Sequence, residues 1–149
     1  MNTKPFFLIT LYFSALGVLL SGYLTYYTYF SGISTGCGVA LISCGGEHPV
    51  KIFGVTQCVY GLVMFAATAG IAIAGLYANK VKRLLATLLG VSIFATLFAG
   101  ALSAYELWWQ IPRPATMPSC VYGFFLYLGI LITTLLVIKE ITPQPKAQI

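Results

Sequence analysis

Residues 55–77, VTQCVYGLVMFAATAGIAIAGLY, form a run of 23 residues that contains no Asp, Glu, Lys or Arg. An α-helix needs about 20 mainly apolar residues to cross the hydrocarbon core of a bilayer. Three comparable apolar runs occupy residues 6–30, 84–109 and 118–138. The pattern therefore predicts four membrane-spanning helices, with a long loop at 31–54 between the first two.

The composition excludes an ordinary soluble domain. Of the 149 residues, 59% are apolar and 7% are charged, and the mean hydropathy is +0.92. Four spans leave no room for a separate soluble catalytic domain, so we predict one all-α domain over residues 1–149, an integral membrane four-helix bundle. The sequence contains no nucleotide-binding loop, zinc helix or Ser-His-Asp set. Any chemistry must therefore sit in or beside the bilayer.

The net charge of +5 is interpreted as a topology signal, and we expect no nucleic-acid partner. Basic residues near the termini and in the turn between the second and third spans would share one side: Lys4, Lys80, Lys82, Arg83, Lys139 and Lys146. Lys51 and Arg113 lie on the other side. The positive-inside rule then predicts cytoplasmic termini in a multi-pass protein of the plasma (inner) membrane, in contact with lipid. The loops at 31–54 and 110–117 would face outward.

The two halves of the chain carry matching motifs. Cys58-Val-Tyr-Gly61 opens the second span, and Cys120-Val-Tyr-Gly123 opens the fourth. Ser21-Gly-Tyr23 and Ser103-Ala-Tyr105 occupy matching places near the outer ends of the first and third spans. We interpret the chain as a duplicated helical hairpin in parallel orientation, with an insertion in the first half that contains Cys37 and Cys44.

By this topology all four cysteines lie on the extracytoplasmic side, where disulfides persist. In a first helical turn, the unpaired N–H groups stabilise the thiolate form of Cys58 and Cys120. The repeat would bring these two residues to equivalent depths, and a disulfide is plausible if their Cα atoms lie within about 7 Å. Alternatively, both are small buried apolar residues. The glycine-rich surroundings of Cys37 and Cys44 suit a mobile redox pair, although one permanent bond closing the loop is the other interpretation.

Several motifs, taken in their order along the chain, resemble those of the vitamin K epoxide reductase family over about residues 10–138. They are an aromatic-rich first span with Ser21-x-Tyr23-Leu-Thr-Tyr26, a loop with Cys37 and Ser43-Cys44, Phe53-Gly54, Ser103-Ala-Tyr105, and a Pro-x-Cys at Cys120. Members of that family are membrane enzymes with a four-helix core that couple thiol–disulfide chemistry to a quinone. Bacterial members help to form disulfides in exported proteins.

The resemblance implies that Cys37 and Cys44 shuttle electrons from a periplasmic or extracytoplasmic thioredoxin-like partner. The family has Cys-x-x-Cys at the start of the last helix, whereas this chain has Met117-Pro-Ser-Cys120. We therefore expect a rewired relay in which Cys58 and Cys120 form the pair nearest the quinone, which would be ubiquinone or menaquinone.

Three further residues are candidates for quinone binding. Gln57 falls where the family often has an asparagine that donates to a quinone oxygen, while Tyr60 and Phe124 would flank the ring; simple packing is the alternative for the two aromatics. Glu106 would relay protons or pair with Arg113; the alternative is an interfacial carboxylate with neither role.

Two other functional classes stay open. Cysteines can pass a soft metal such as mercury or copper through a membrane carrier, but a carrier would need thiols near the cytoplasmic end as well. A noncatalytic membrane assembly factor of the same fold, with structural disulfides, is the second alternative. The enzyme would cycle between oxidised and reduced forms with quinone, the carrier would bind metal, and the assembly factor would do neither.

Overall fold

A computed structural model describes residues 4–30, 42–43, 51–77, 81–110 and 117–141. These residues form four α-helices: α1 (Lys4–Phe30), α2 (Gln57–Tyr77), α3 (Val81–Gln110) and α4 (Ser119–Ile141). Four two-residue strands accompany them: β1 (Ile42–Ser43), β2 (Lys51–Ile52), β3 (Val55–Thr56) and β4 (Met117–Pro118). All four helices are long and apolar enough to cross a membrane. The predicted all-α membrane bundle is therefore confirmed.

The helix bounds differ from the predicted ones by at most three residues, and short strands replace the predicted first residues of α2 and α4. β2 and β3 pair antiparallel, with Ile52 opposite Val55, and the two residues between them, Phe53 and Gly54, have φ of 52° and 79°. Positive φ at both central residues is typical of the tightest hairpin turns. This hairpin takes Val55 and Thr56 out of α2, and β4 takes Pro118 out of α4 in the same way.

The helices associate as two hairpins. α1 packs most extensively against α2, and α3 against α4. Gly17 and Gly75 permit the close approach of α1 and α2, because a side chain on Gly17 would collide with the ring of Phe65, and one on Gly75 with the ring of Phe7. Small residues at helix contacts are how membrane helices gain packing energy in the absence of a hydrophobic driving force.

Two apolar clusters form the interior of the bundle. One contains Phe6, Phe7, Ala72, Leu85 and Leu88, and the other contains Phe65, Ala95, Tyr127 and Ile130. Large apolar side chains also cover the outside of the helices; Leu19 and Leu97, for example, are each 70% exposed. Such an apolar exterior suits contact with lipid chains.

The internal repeat is visible in the packing. α2 and α4 each begin directly after a two-residue strand. Ser21 and Ser103 are both 7% exposed, and each donates its hydroxyl to the carbonyl four residues earlier. Phe65 and Tyr127, which follow the cysteines of the two motifs at the same spacing, stack on one another at 4.3 Å between ring centroids. These matches are what two parallel, related hairpins would produce.

Candidate functional site

The matching motifs place two cysteines in the first turns of α2 and α4. Cys58 is buried, with 4% of its surface exposed, and Cys120 is half-buried. Gln57, the first residue of α2, is also 4% exposed. Cys37 and Cys44 lie outside the described residues, so their pairing and their proposed shuttle role stay predictions.

The two cysteines are in different redox states. Cys58 is disulfide-bonded, and Cys120 is a free thiol. The predicted Cys58–Cys120 disulfide is therefore wrong for this state, and the partner of Cys58 lies outside the described residues. The Cys120 side chain instead has the side chain of Glu106 as its hydrogen-bonding neighbour.

A polar cluster joins three helices at this end of the bundle. Gln57 of α2 donates a hydrogen bond from Nε2 to Oε1 of Glu106 on α3, and Glu106 neighbours Cys120 of α4. We call Gln57, Glu106 and Cys120, with the adjacent Thr56, the outer polar cluster. The sequence indicated Glu106 as a candidate proton relay, but its contacts with Gln57 and Cys120 were missed. The suggested partner Arg113 lies outside the described residues.

Three buried oxygens of the outer polar cluster have no hydrogen-bond partner: Thr56 Oγ1, Gln57 Oε1 and Glu106 Oε2. Thr56, Gln57 and Glu106 are each 4% exposed. A buried polar atom without a partner costs about 1–3 kcal/mol, and an ionisable residue within a membrane span is expensive and usually functional. Three such atoms, two in adjacent residues and one in a residue hydrogen-bonded to Gln57, indicate a site that can exchange protons or bind a polar ligand.

The two aromatic candidates have packing roles of their own. The Tyr60 hydroxyl donates to the carbonyl oxygen of Ile52 at 2.8 Å, which ties α2 to the β2–β3 hairpin. Phe124 lies one turn beyond Cys120 and packs over Gly100 of α3, where an added Cβ would come within 3.2 Å of its ring. Their contact with a quinone stays a prediction.

A short parallel pairing brings the inserted loop to the site. β1 pairs with β4, with Ile42 opposite Met117 and Ser43 opposite Pro118. Ser43 immediately precedes Cys44, and Pro118 lies two residues before Cys120. The chain that leads into a loop cysteine therefore runs beside the chain that leads into the free thiol.

A separate apolar groove of about 430 Å³ lies between α1 and α4. It is lined by Phe13, Leu16, Leu20, Tyr122, Phe125 and Leu126. None of these residues belongs to the outer polar cluster, so the groove does not define the site.

Compared with known proteins, the chain matches no protein-family model and no curated protein.

Proposed function

We propose that this protein is a membrane thiol–disulfide oxidoreductase of the vitamin K epoxide reductase type, which couples disulfide formation in exported proteins to the reduction of a membrane quinone. The observation that carries the proposal is the pair of cysteines in equivalent first turns. Cys58 is disulfide-bonded and Cys120 is a free thiol, and the outer polar cluster connects their helices. A purely structural set of cysteines would have no need for a buried carboxylate against the free thiol.

The state of the cysteines fits one step of a relay. In that step a thiolate of the loop pair attacks Cys58 of a Cys58–Cys120 disulfide. The bond between Cys58 and Cys120 breaks, a bond from the loop sulfur to Cys58 forms, and Cys120 leaves with the electron pair. A bonded Cys58 and a free Cys120 are what this mixed disulfide would contain.

The second exchange completes the transfer. The other loop thiolate attacks the loop sulfur bonded to Cys58, which closes a Cys37–Cys44 disulfide and releases Cys58 as a thiolate. Two electrons have then moved from the loop pair to Cys58 and Cys120. A reduced thioredoxin-like dithiol would restore the loop pair and would itself become a disulfide, so one partner disulfide forms for each pair of electrons.

The outer polar cluster also has groups suited to bind the final electron acceptor. A membrane quinone, ubiquinone or menaquinone, would supply the final two-electron acceptor and take up two protons. The Thr56 hydroxyl, which has no partner, and the second N–H of Gln57 could each donate a hydrogen bond to a carbonyl oxygen. Tyr60 lies two residues from Cys58 and Phe124 lies four residues from Cys120, and both side chains would bound the ring.

The charge distribution supports an extracytoplasmic location for this chemistry. The exposed Lys82 and Arg83 lie at the start of α3, and Glu106 lies near the other end of the same helix. By the positive-inside rule the end with Lys82 and Arg83 is cytoplasmic. The cysteines would then face the extracytoplasmic side of the plasma membrane, where exported proteins acquire disulfides.

The test is quinone reduction by the full chain in lipid nanodiscs, with a reduced thioredoxin-like protein as the electron donor and the quinone absorbance as the readout. We expect steady turnover that Cys58→Ala and Cys120→Ala each abolish. Tyr122→Phe, a change at an exposed residue two positions after Cys120, is the matched control and should keep full turnover. Wild-type turnover in either cysteine variant would contradict the proposal. Binding of Hg²⁺ or Cu⁺ without quinone reduction would contradict it in favour of a carrier, and the absence of both activities would favour an assembly factor.

A further inference from the structure

We infer that Glu106 exchanges a proton directly with the thiol of Cys120, taking it when Cys120 becomes a nucleophile and returning it when Cys120 is a leaving group. The inference rests on the proposed function for its biological purpose. The proton exchange itself is a property of two side chains, however, and can be tested without a quinone or a partner.

The contacts around Glu106 leave one carboxylate oxygen available. Gln57 donates to Oε1, which fixes the orientation of the carboxyl group, and Oε2 has no hydrogen-bond partner. Cys120 is the neighbouring thiol. Glu106 is 4% exposed, so bulk water is a poor competitor for the proton.

The hydrogen-bond donors and acceptors of the outer polar cluster also favour proton exchange between Cys120 and Glu106. Gln57 Oε1 and both oxygens of an ionised Glu106 can only accept, whereas the Gln57 amide N–H groups, the Thr56 hydroxyl and the Cys120 thiol can donate. Three oxygens of the cluster lack a partner. Of the donors in the cluster the thiol is the most acidic, so it is the one that can transfer its proton to the carboxylate.

The repeat shows that the carboxylate accompanies only one of the two cysteines. Leu24, at 7% exposure, occupies the position in the first hairpin that Glu106 occupies in the second, directly after the tyrosine of the Ser-x-Tyr motif. The first hairpin contains the disulfide-bonded Cys58, and the second contains the free thiol Cys120. At this position, therefore, only the hairpin with the free thiol has a carboxylate, which can take up or return a thiol proton.

Within the part of the chain that the structure describes, few other titratable groups lie near Glu106 on the elements packed against it. From α4 the group is Cys120. From α2 the contact is Gln57, which does not titrate, and its neighbour Cys58 is held in a disulfide. Among the described residues, Tyr60 of α2 directs its hydroxyl to Ile52, and Tyr105 and Lys51 are exposed.

The step balances within the pair. The thiol of Cys120 and the carboxylate of Glu106 become a thiolate and a carboxylic acid, with one proton transferred and the total charge unchanged. When a disulfide to Cys120 breaks, Cys120 leaves as a thiolate and takes the proton from the Glu106 carboxylic acid. No oxidant or reductant is needed for the proton step.

The test measures how the alkylation rate of Cys120 depends on pH. The full chain in detergent is treated with N-ethylmaleimide, and modification of Cys120 is followed by peptide mass spectrometry. Because Glu106 and Cys120 would share one proton over a range of pH, their reactive tautomer has a constant population there. We therefore expect a rate plateau across neutral pH in the wild type.

In Glu106→Gln we expect no plateau. The rate should rise about tenfold per pH unit, as for an isolated thiol, and at pH 7 it should be roughly a hundredfold below the wild type, which is the lower end of the effect of a positioned proton acceptor. Glu140→Gln, an exposed change at the other end of α4, is the matched control and should retain the plateau. Glu106→Asp keeps a carboxylate and should retain a weaker plateau. This variant tests the same inference if Glu106→Gln does not fold.

The opposite result has a clear physical meaning. If Glu106 acts only as a nearby negative charge, its removal should make the thiolate easier to form, and Glu106→Gln would react faster than the wild type. That result, or a wild-type rate that rises tenfold per pH unit like the variant, overturns the inference. A plateau in a protein that reduces no quinone would instead overturn the proposed function and leave the proton exchange intact.

Discussion

The side chain of Gln57, the first residue of α2, donates a hydrogen bond to the carboxyl group of Glu106, one turn from the end of α3. Because α2 belongs to the first hairpin and α3 to the second, this bond joins the two halves at the end where both cysteine motifs begin. It also orients the carboxyl group that neighbours Cys120.

Replacing Gln57 by Leu should therefore destabilise the bundle and slow the reaction of Cys120. A buried Glu106 without its donor costs about 1–3 kcal/mol of unfolding free energy, which denaturant titration in detergent would measure. Thr133→Val, which removes a hydroxyl bonded only within its own helix at 2.9 Å, is the control and should change stability much less. Equal effects of the two substitutions would argue against a structural role for the bond between the halves.

A second prediction concerns the close contact of α1 and α2. Gly17→Ala should lower stability by about 1–3 kcal/mol, the usual cost of overpacking. The reason is that the new methyl group meets the ring of Phe65, which is itself stacked on Tyr127. Gly70→Ala is the control, since a Cβ there meets nothing within 4 Å. A thermal unfolding midpoint unchanged in Gly17→Ala would show that this packing is looser than described.

A third prediction concerns orientation in the membrane. Lys51→Cys, in β2, should react with a membrane-impermeant thiol reagent applied to spheroplasts, whose plasma membrane is intact. Lys82→Cys, at the start of α3, should react only after the membrane is opened. Both lysines are exposed, so the comparison reports sidedness and not burial. The reverse pattern would place the cysteine motifs on the cytoplasmic side and remove the basis for a role in exported proteins.

The membrane helices and the repeat were predictable because both depend on local patterns. Hydropathy alone marks α2, and Cys58-Val-Tyr-Gly61 can be compared with Cys120-Val-Tyr-Gly123 by eye. The bond from Gln57 to Glu106 was not predictable in this way, because it depends on how two hairpins dock and no sequence spacing encodes that. The two-residue strands β3 and β4 were missed for a related reason, since their pairing partners determine them and their own propensity is weak.

The redox states of Cys58 and Cys120 were also beyond the sequence. Equivalent depth made a bond between them plausible, yet in the proposed relay the cysteines that are paired depend on which step of the exchange is populated. The contact between Cys120 and Glu106 is the structural reason that a free Cys120 is accommodated, because the carboxylate can accept a hydrogen bond from the thiol.

The most direct test of the central claim, that these cysteines form a redox relay, is a disulfide map of the full chain by mass spectrometry after rapid alkylation, before and after quinone is added. The relay predicts that Cys58 is bonded to Cys37 or Cys44 with Cys120 free in the partly reduced protein. It also predicts that quinone converts this population to Cys58–Cys120 and Cys37–Cys44 bonds. A map in which Cys120 stays free and the bond of Cys58 does not change under any condition would contradict the relay.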